Sequence, residues 1–221
     1  MKLTIVAATG GIGRQMLDQA LAAGHDVTAV VRSPGRLPGG VRAVTADLAA
    51  ADPAALESAV AGADAVLSGL GPRSRADAGI ASRGTRAIAA AMSAAGARRL
   101  VVVSAAPIGT VASPARPHPP RHDPGDAFWM RHVLSHVAKA LFRAHYADLA
   151  LMEDIVRDSG LDWTIVRPPR LSDKPLTGTY RTAYGQNLPG GWIVPRADVA
   201  HYMLRAAAQP DTIKQVVGIA S

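Results

Sequence analysis

The chain opens with a short β-branched run, Lys2–Ala7, which stops in a turn crowded with glycine: Ala8, Thr9, Gly10, Gly11, Ile12, Gly13. From Ile12 the apolar residues Met16, Leu17 and Leu21 recur at helical spacing, and Gly24 follows as a C-terminal stop. A strand that turns this abruptly into a helix sets a rhythm, and the chain keeps it. Asp26–Val31 and Val41–Asp47 read as strands, Pro53–Ala61 as a short helix and Ala63–Leu70 as a buried strand. Asp77–Ala95 reads as an alanine-rich helix and RRLVVVSAA (98–106) as the most apolar strand of all. Such alternation with short connections predicts an α/β fold, a parallel sheet with helices on both faces.

The rhythm breaks after Ser104. Pro107–Asp126 contains six prolines and two glycines, too many for regular structure, and it is long enough to require either a function or disorder. Phe128–Leu141 and His145–Ser159 read as helices, and LDWTIVRPP (161–169) as a strand stopped by two prolines. Residues 171–191 read as a mostly irregular excursion, Asp198–Ala208 as a helix and QVVGIA (215–220) as a terminal strand. No repeat and no long linker divides the chain, so one domain is expected over residues 1–221. Residues 107–144 are then an insertion acting as a lid or an interface, and 168–195 an excursion that builds a pocket.

Composition narrows the partners. The net charge is +7, but the 24 Lys and Arg residues form no basic run and aromatic residues make up only 4%, so no nucleic acid is expected. A basic field still attracts ligands that carry phosphate. The absence of cysteine removes disulfides, thiolate metal sites and a cysteine nucleophile together, and fits a reducing compartment. Six residues of strand before the first turn are too few for a signal peptide or a membrane span. A cytoplasmic protein with no membrane partner is expected.

The glycine turn is the chemical motif. A glycine-rich strand-to-helix turn lets backbone amides and a helix N-terminus meet a pyrophosphate with no Cβ in the way. Thr9, Gly10, Gly11, Ile12 and Gly13 are the candidates to do so. Ala7 stands where the fingerprint's first glycine serves the turn; it is harmless provided its φ is negative. At the end of the second strand, where an acidic residue would select NAD, stand Arg32, Ser33 and then Arg36, which predicts NADP(H) as the cofactor. Asp47 with Leu48, and Ser68–Gly71 (with Gly69, Leu70 and Gly71), lie at carboxyl ends of parallel strands, where such folds bind ligands.

The segments ATGGIGRQ, VVRSP, TADL, RRLVVVSA and SGLDWTIVRPPRLSDKPLTGTYRT resemble the atypical short-chain dehydrogenase/reductases of the NAD(P)H-binding, NmrA-like group, near the flavin reductase/biliverdin-IXβ reductase proteins. The resemblance covers nearly the whole chain. It implies a Rossmann-type doubly wound parallel sheet with a small C-terminal substrate region and an inserted lid-like loop and helix. It also implies that Gly10, Gly11, Ile12, Arg32, Arg36, Asp47, Leu48, Gly71, Arg73 and Ser104 contact the cofactor. The loop after Pro168 and Pro169 would line the nicotinamide pocket. The sequence departs from the pattern at Ala7, where the group has glycine, and at Arg170, where the flavin/biliverdin reductases have histidine. Arg170 weakens the case for biliverdin, yet an arginine still offers a partner to an anionic substrate.

No Tyr-x-x-x-Lys pair is present. Tyr146 is the tyrosine on the expected helix, and Ala150 follows it four residues later. Carbonyl reduction needs a proton donor at oxygen, whereas hydride transfer to a flavin or quinone can take its proton from water, the cofactor supplying the hard step. Tyr146 and Ser104 remain the candidate catalytic side chains, Ser104 as a donor to nicotinamide or substrate. His132 and His136 lie at helical spacing but lack a third ligand, so no metal is expected. The helix around them reads as a lid or as the face of a homodimer. The expected function is an NADPH-dependent oxidoreductase acting on a small-molecule acceptor of flavin or quinone type. The alternative is a non-catalytic NADP(H)-sensing regulatory protein.

Overall fold

The computed structural model describes residues 1–48, 52–71, 77–125 and 143–221, without the side chain of Arg36. Strand β1 (Lys2–Val6) sends Leu3 and Ile5 into one hydrophobic layer and Val6 into another, while the Thr4 hydroxyl donates to Ala59 O at 2.6 Å. Strands β4 (Ala65–Ser68), β5 (Arg99–Val103) and β6 (Asp162–Arg167) alternate the same way. Leu67, Val101 and Val166 join the first layer, and Val66, Val102 and Ile165 the second. Period-two alternation with both faces apolar is what a sheet covered on both sides requires.

Helix α1 (Gly11–Ala22) buries Ile12, Met16, Leu17 and Ala20, and packs beside α5 (Arg196–Ala207) on the first face. Helices α2 (Pro53–Val60), α3 (Ile80–Ala95) and α4 (Arg143–Asp158) cover the second. Asp52 caps α2 by accepting from Ala54 N at 3.0 Å and Ala55 N at 3.4 Å, with Pro53 in the first helical position. Helix α3 borrows its cap: Asp148 of α4 accepts from Ala81 N at 3.0 Å and Ser82 N at 3.1 Å, which fastens the two helices together.

With β2 (Asp26–Val31), β3 (Arg42–Thr45), β8 (Arg181–Tyr184) and β10 (Gln215–Ala220), the main sheet runs β3-β2-β1-β4-β5-β6-β10-β8. All pairs are parallel except β10 with β8. The first six strands are in Rossmann order, so the crevice for a ligand opens where the order reverses, between β1 and β4. Among the described residues no helix is long and apolar enough to cross a membrane.

The C-terminal part adds detail to the expectation and in one place differs from it. The excursion is mostly irregular, as expected, but it carries short strands: β7 (Arg170–Ser172) and β9 (Ile193–Pro195) form a parallel two-stranded ribbon, and β8 joins the main sheet. Helix α5 starts at Arg196, not Asp198. Asp198 is fully buried and turned toward the excursion. Its carboxylate accepts from Thr177 N at 2.9 Å, Gly178 N at 3.0 Å and the Thr177 hydroxyl at 2.7 Å.

The proline-rich segment is also fastened down. It begins as a 3₁₀ turn, Ala106–Thr110. Asp154 of α4 accepts from the Ser113 hydroxyl and from Ala115 N, both at 3.0 Å, while buried Asp123 accepts from Asn187 N at 2.7 Å. The expected helix Phe128–Leu141, with His132 and His136, lies outside the described residues, as does Arg73.

Candidate functional site

Strand β1 runs into the glycine turn at Ala7, whose φ is +59°. This is the costly case. The alanine holds a left-handed conformation that glycine adopts freely, at about 1–2 kcal/mol for a residue with a Cβ. Backbone bonds fix it there: Ala7 N donates to Val30 O at 3.0 Å, and Ala7 O accepts from Gly10 N at 2.8 Å. Gly13 seats the helix on this turn, since a Cβ would fall 2.1 Å from Ala7 O and 2.7 Å from Ala7 C. Gly10 caps α1 with no side-chain bond. The first amides of the helix therefore have no intrahelical acceptor, and Gly11 and Ile12 line a cavity.

Two cavities meet over the turn. One, of about 330 Å³, is lined by Thr9, Arg32, Ser33, Asp47, Leu48 and Asp77 among others. The second, of about 240 Å³, is lined by Gly10, Gly11, Ile12, Gly69, Ser104, His145, Leu149, Leu171 and Arg196. Ala7, Leu70 and Gly71 line both, so the two form one trough along the carboxyl ends of the strands. Gly13 lies beneath it. Arg36 closes a short 3₁₀ turn just past Arg32.

The segment after the proline corner reaches the trough through Leu171, while neither proline lines it. Pro168 is buried and its carbonyl accepts from Ala106 N at 2.9 Å. Pro169 lines a separate narrow cleft with Asn187 and Trp192. Arg170 is exposed, and Leu171 is the β7 residue that faces the trough, because neighbours on a strand point to opposite sides.

At one end of the trough the Arg32 Nη1 reaches Asp77 Oδ1 at 3.1 Å, and the Arg32 side chain remains 54% exposed. At the other end the Ser104 hydroxyl donates to Glu153 Oε1 at 2.7 Å. Glu153 is 0% exposed. Arg167 grips it with two donors, Nε to Oε1 at 2.8 Å and Nη2 to Oε2, and Arg157 Nη2 reaches Oε2 at 2.8 Å. Burial pushes the Glu153 carboxyl upward, but Arg167, Arg157 and Ser104 outweigh it and hold the group below the ordinary carboxylate range. A hydroxyl has one proton, and this one is committed to Glu153. Ser104 therefore offers the trough an acceptor rather than the expected donor.

Tyr146 does not line the trough. It packs half-buried against the second hydrophobic layer, and burial raises its pKa. The α4 residues that face the trough are His145 and Leu149, one turn apart. Burial lowers the pKa of His145 against the opposing pull of Asp148, and its buried Nδ1 has no partner among the described residues. The imidazole is therefore neutral at neutral pH. The sequence reading missed His145, Glu153, Arg157, Arg167 and Arg196. Two signals were there to find: a charge closing the apolar run TIVR at a strand's carboxyl end, and Glu153 and Arg157 at i,i+4. Among the described residues no three His, Asp or Glu side chains are grouped to hold a metal ion.

Solved structures share the architecture over 100% of this chain. A short-chain dehydrogenase/reductase from Veillonella parvula, solved in complex with NADP, is 20% identical with a TM-score of 0.77 and 94% of its own chain covered. ChuY, an anaerobillin reductase from Escherichia coli O157:H7, is 24% identical with a TM-score of 0.76 and 97% covered. A candidate NADH-flavin reductase from Streptococcus pneumoniae is 22% identical with a TM-score of 0.76 and 99% covered. These likenesses bear on the fold alone. The model of the NAD(P)H-binding family matches residues 7–210, from the glycine turn almost to the last strand, and the chain belongs to that family.

Proposed function

We propose that the chain is an NADPH-dependent reductase that passes hydride to a flavin, a quinone or a similar small acceptor. The observation that carries this reading is the trough, which runs from Arg32 across the open amides of Gly11 and Ile12 to Ser104 and His145. Arg32 and Arg36 take the 2′-phosphate of the cofactor, the half-exposed Arg32 guanidinium exchanging its single bond to Asp77 for it. Asp47, Leu48, Leu70 and Gly71 bound the adenosine side, with Arg73 nearby in sequence. Thr9, Gly10, Gly11 and Ile12 hold the diphosphate, and Gly69 and Leu171 wall the nicotinamide side behind Pro168 and Pro169. The bound cofactor supplies the hydride. Ser104, fixed by Glu153 as an acceptor, orients an N–H of the carboxamide.

The acceptor class follows from what the far end can do with a proton. Ser104 has none to give, and Tyr146, half-buried against the second hydrophobic layer, does not line the trough. That arrangement favours acceptors whose proton comes from solvent over carbonyls that need one at oxygen in the transition state. Arg170 is exposed beside Leu171 but on the opposite side of the strand, so it adds nothing to the case for an acceptor in the trough. The name of the flavin-reductase neighbour agrees with this class. The test is a panel of flavins, quinones and tetrapyrroles with NADPH and NADH, following loss of nicotinamide absorbance. Turnover of NADPH with a flavin or quinone is expected. Saturable binding with no oxidation by any acceptor would make the chain an NADP(H) sensor, and no binding of either dinucleotide would sink both readings.

A further inference from the structure

Gly11 is small for a reason that the fingerprint does not state. A Cβ at this position would lie 2.8 Å from both Cδ and Nε of Arg196. The Arg196 side chain thus lies across the first residue of α1, on the wall of the trough. It is itself the first residue of α5, which packs beside α1. Two helix N-termini, each the positive end of its macrodipole, therefore flank one guanidinium. The charge is occupied by an awkward partner. Arg196 Nη1 binds Asp173 Oδ1 at 2.6 Å, but the Asp173 side chain is 89% exposed while that of Arg196 is 31% exposed. A carboxylate almost wholly in water gains little by such a pair, and a fixed anion on the trough floor would be the stronger ligand for a forked guanidinium.

We infer that Arg196 is the second grip on the diphosphate of the dinucleotide: it leaves Asp173 and closes across Gly11 on the phosphates that the α1 amides hold. The inference rests on the reading of the trough as a dinucleotide site, and it adds a division of labour to that reading. Arg32 tells NADPH from NADH. Arg196 serves both alike, because both carry the same diphosphate. Asp173 is then a competitor that holds the arginine in place while the trough is empty and weakens binding when it is filled.

Titrations of the full chain with NADPH, NADH and adenosine 2′-monophosphate, which has no diphosphate, separate these roles. R196Q is expected to weaken NADPH and NADH by the same factor, about ten- to hundredfold, the effect of one charge-assisted hydrogen bond. It should leave adenosine 2′-monophosphate unchanged. D173N keeps the arginine where it is and should tighten both dinucleotides about two- to fivefold at low salt, the gain fading as ionic strength rises. Unchanged dinucleotide affinity in R196Q, a loss confined to NADPH, or an equal loss for adenosine 2′-monophosphate would each overturn the inference. If R196Q does not fold, D173N decides: a gain that disappears with salt supports the grip, and no gain removes it. A wild-type chain that binds adenosine 2′-monophosphate but neither dinucleotide would overturn the reading of the trough itself.

Discussion

The two ends of the trough hold charge in opposite ways. At the β2 end Arg32 stands half in water, tied by one bond of 3.1 Å to Asp77. At the end formed by β5 and β6 the Glu153 carboxylate is wholly buried, clamped by Arg167 and Arg157 and receiving the Ser104 proton. An exposed cation can leave its partner for a ligand at little cost to the fold. A buried cluster cannot rearrange without stranding a charge, so it fixes the polarity of whatever it touches. Selectivity is thus carried by a loose end and orientation by a rigid one.

The sharpest way to break this contrast is to neutralise the buried end. E153Q keeps the shape of the side chain but leaves Arg167, which is 5% exposed, with no carboxylate on the Glu153 side. Breaking a buried pair from one side costs about 3–5 kcal/mol, and urea unfolding should show a loss of that order. R32A, an exposed substitution, should shift the same curve by no more than about 0.5 kcal/mol. Acid should single out the same residue. The folded state binds the ionised carboxylate and lowers its pKa, so this part of the stability is present above the ordinary carboxylate range and is lost as pH falls through it and below. E153Q should flatten that acid limb. Equal stability and an unchanged acid limb would mean that the cluster fixes nothing.

The exposed end is tested by affinity. R32A should weaken NADPH about tenfold, the low end for a charge-assisted bond because the side chain is half in water, and leave NADH unchanged. Isothermal titration of both cofactors checks it. An equal loss for both would mean that Arg32 only shapes its loop, and the contrast between the two ends would lose its selective half.

These ends were not equally legible. Strands β1, β2 and β5, helix α1 and the Arg32 position follow from local patterns, a period of two or 3.6 and a turn at a fixed place. The trough is built from short segments at strand ends, each readable where it stands. The buried cluster is not local: Ser104 and Glu153 are 49 residues apart, and Arg167 and Glu153 are 14 apart. Nothing near Ser104 says which way its proton points. Helix α5 shows a subtler failure. The sequence reading starts it at Asp198, but that carboxylate serves Thr177, 21 residues earlier, and the helix begins behind Pro195. Starting it two residues late hid Arg196. Strand β8 becomes visible only once β10 is there to pair with it.

The smallest effect tests the turn that joins the two ends. Ala7 cannot relax toward negative φ, because its N–H is held by Val30 O, its carbonyl by Gly10 N, and the Gly13 backbone sits close against that carbonyl. Glycine at this position removes the left-handed strain, about 1–2 kcal/mol. It also loosens the unfolded chain, which takes back about 0.4–1 kcal/mol. The two partly cancel, so A7G should be neutral to about 1.5 kcal/mol more stable, with dinucleotide affinity unchanged. The control is A43G, a change in exposed strand β3, where no left-handed strain is relieved and glycine should cost about 0.5–1 kcal/mol. The quantity to read is the difference between the two unfolding curves. If A7G costs as much as A43G, the alanine turn carries no strain. If A7G gains stability but loses affinity, the Ala7 methyl group belongs to the ligand site, and the turn is no longer a neutral bridge between the loose end and the rigid one.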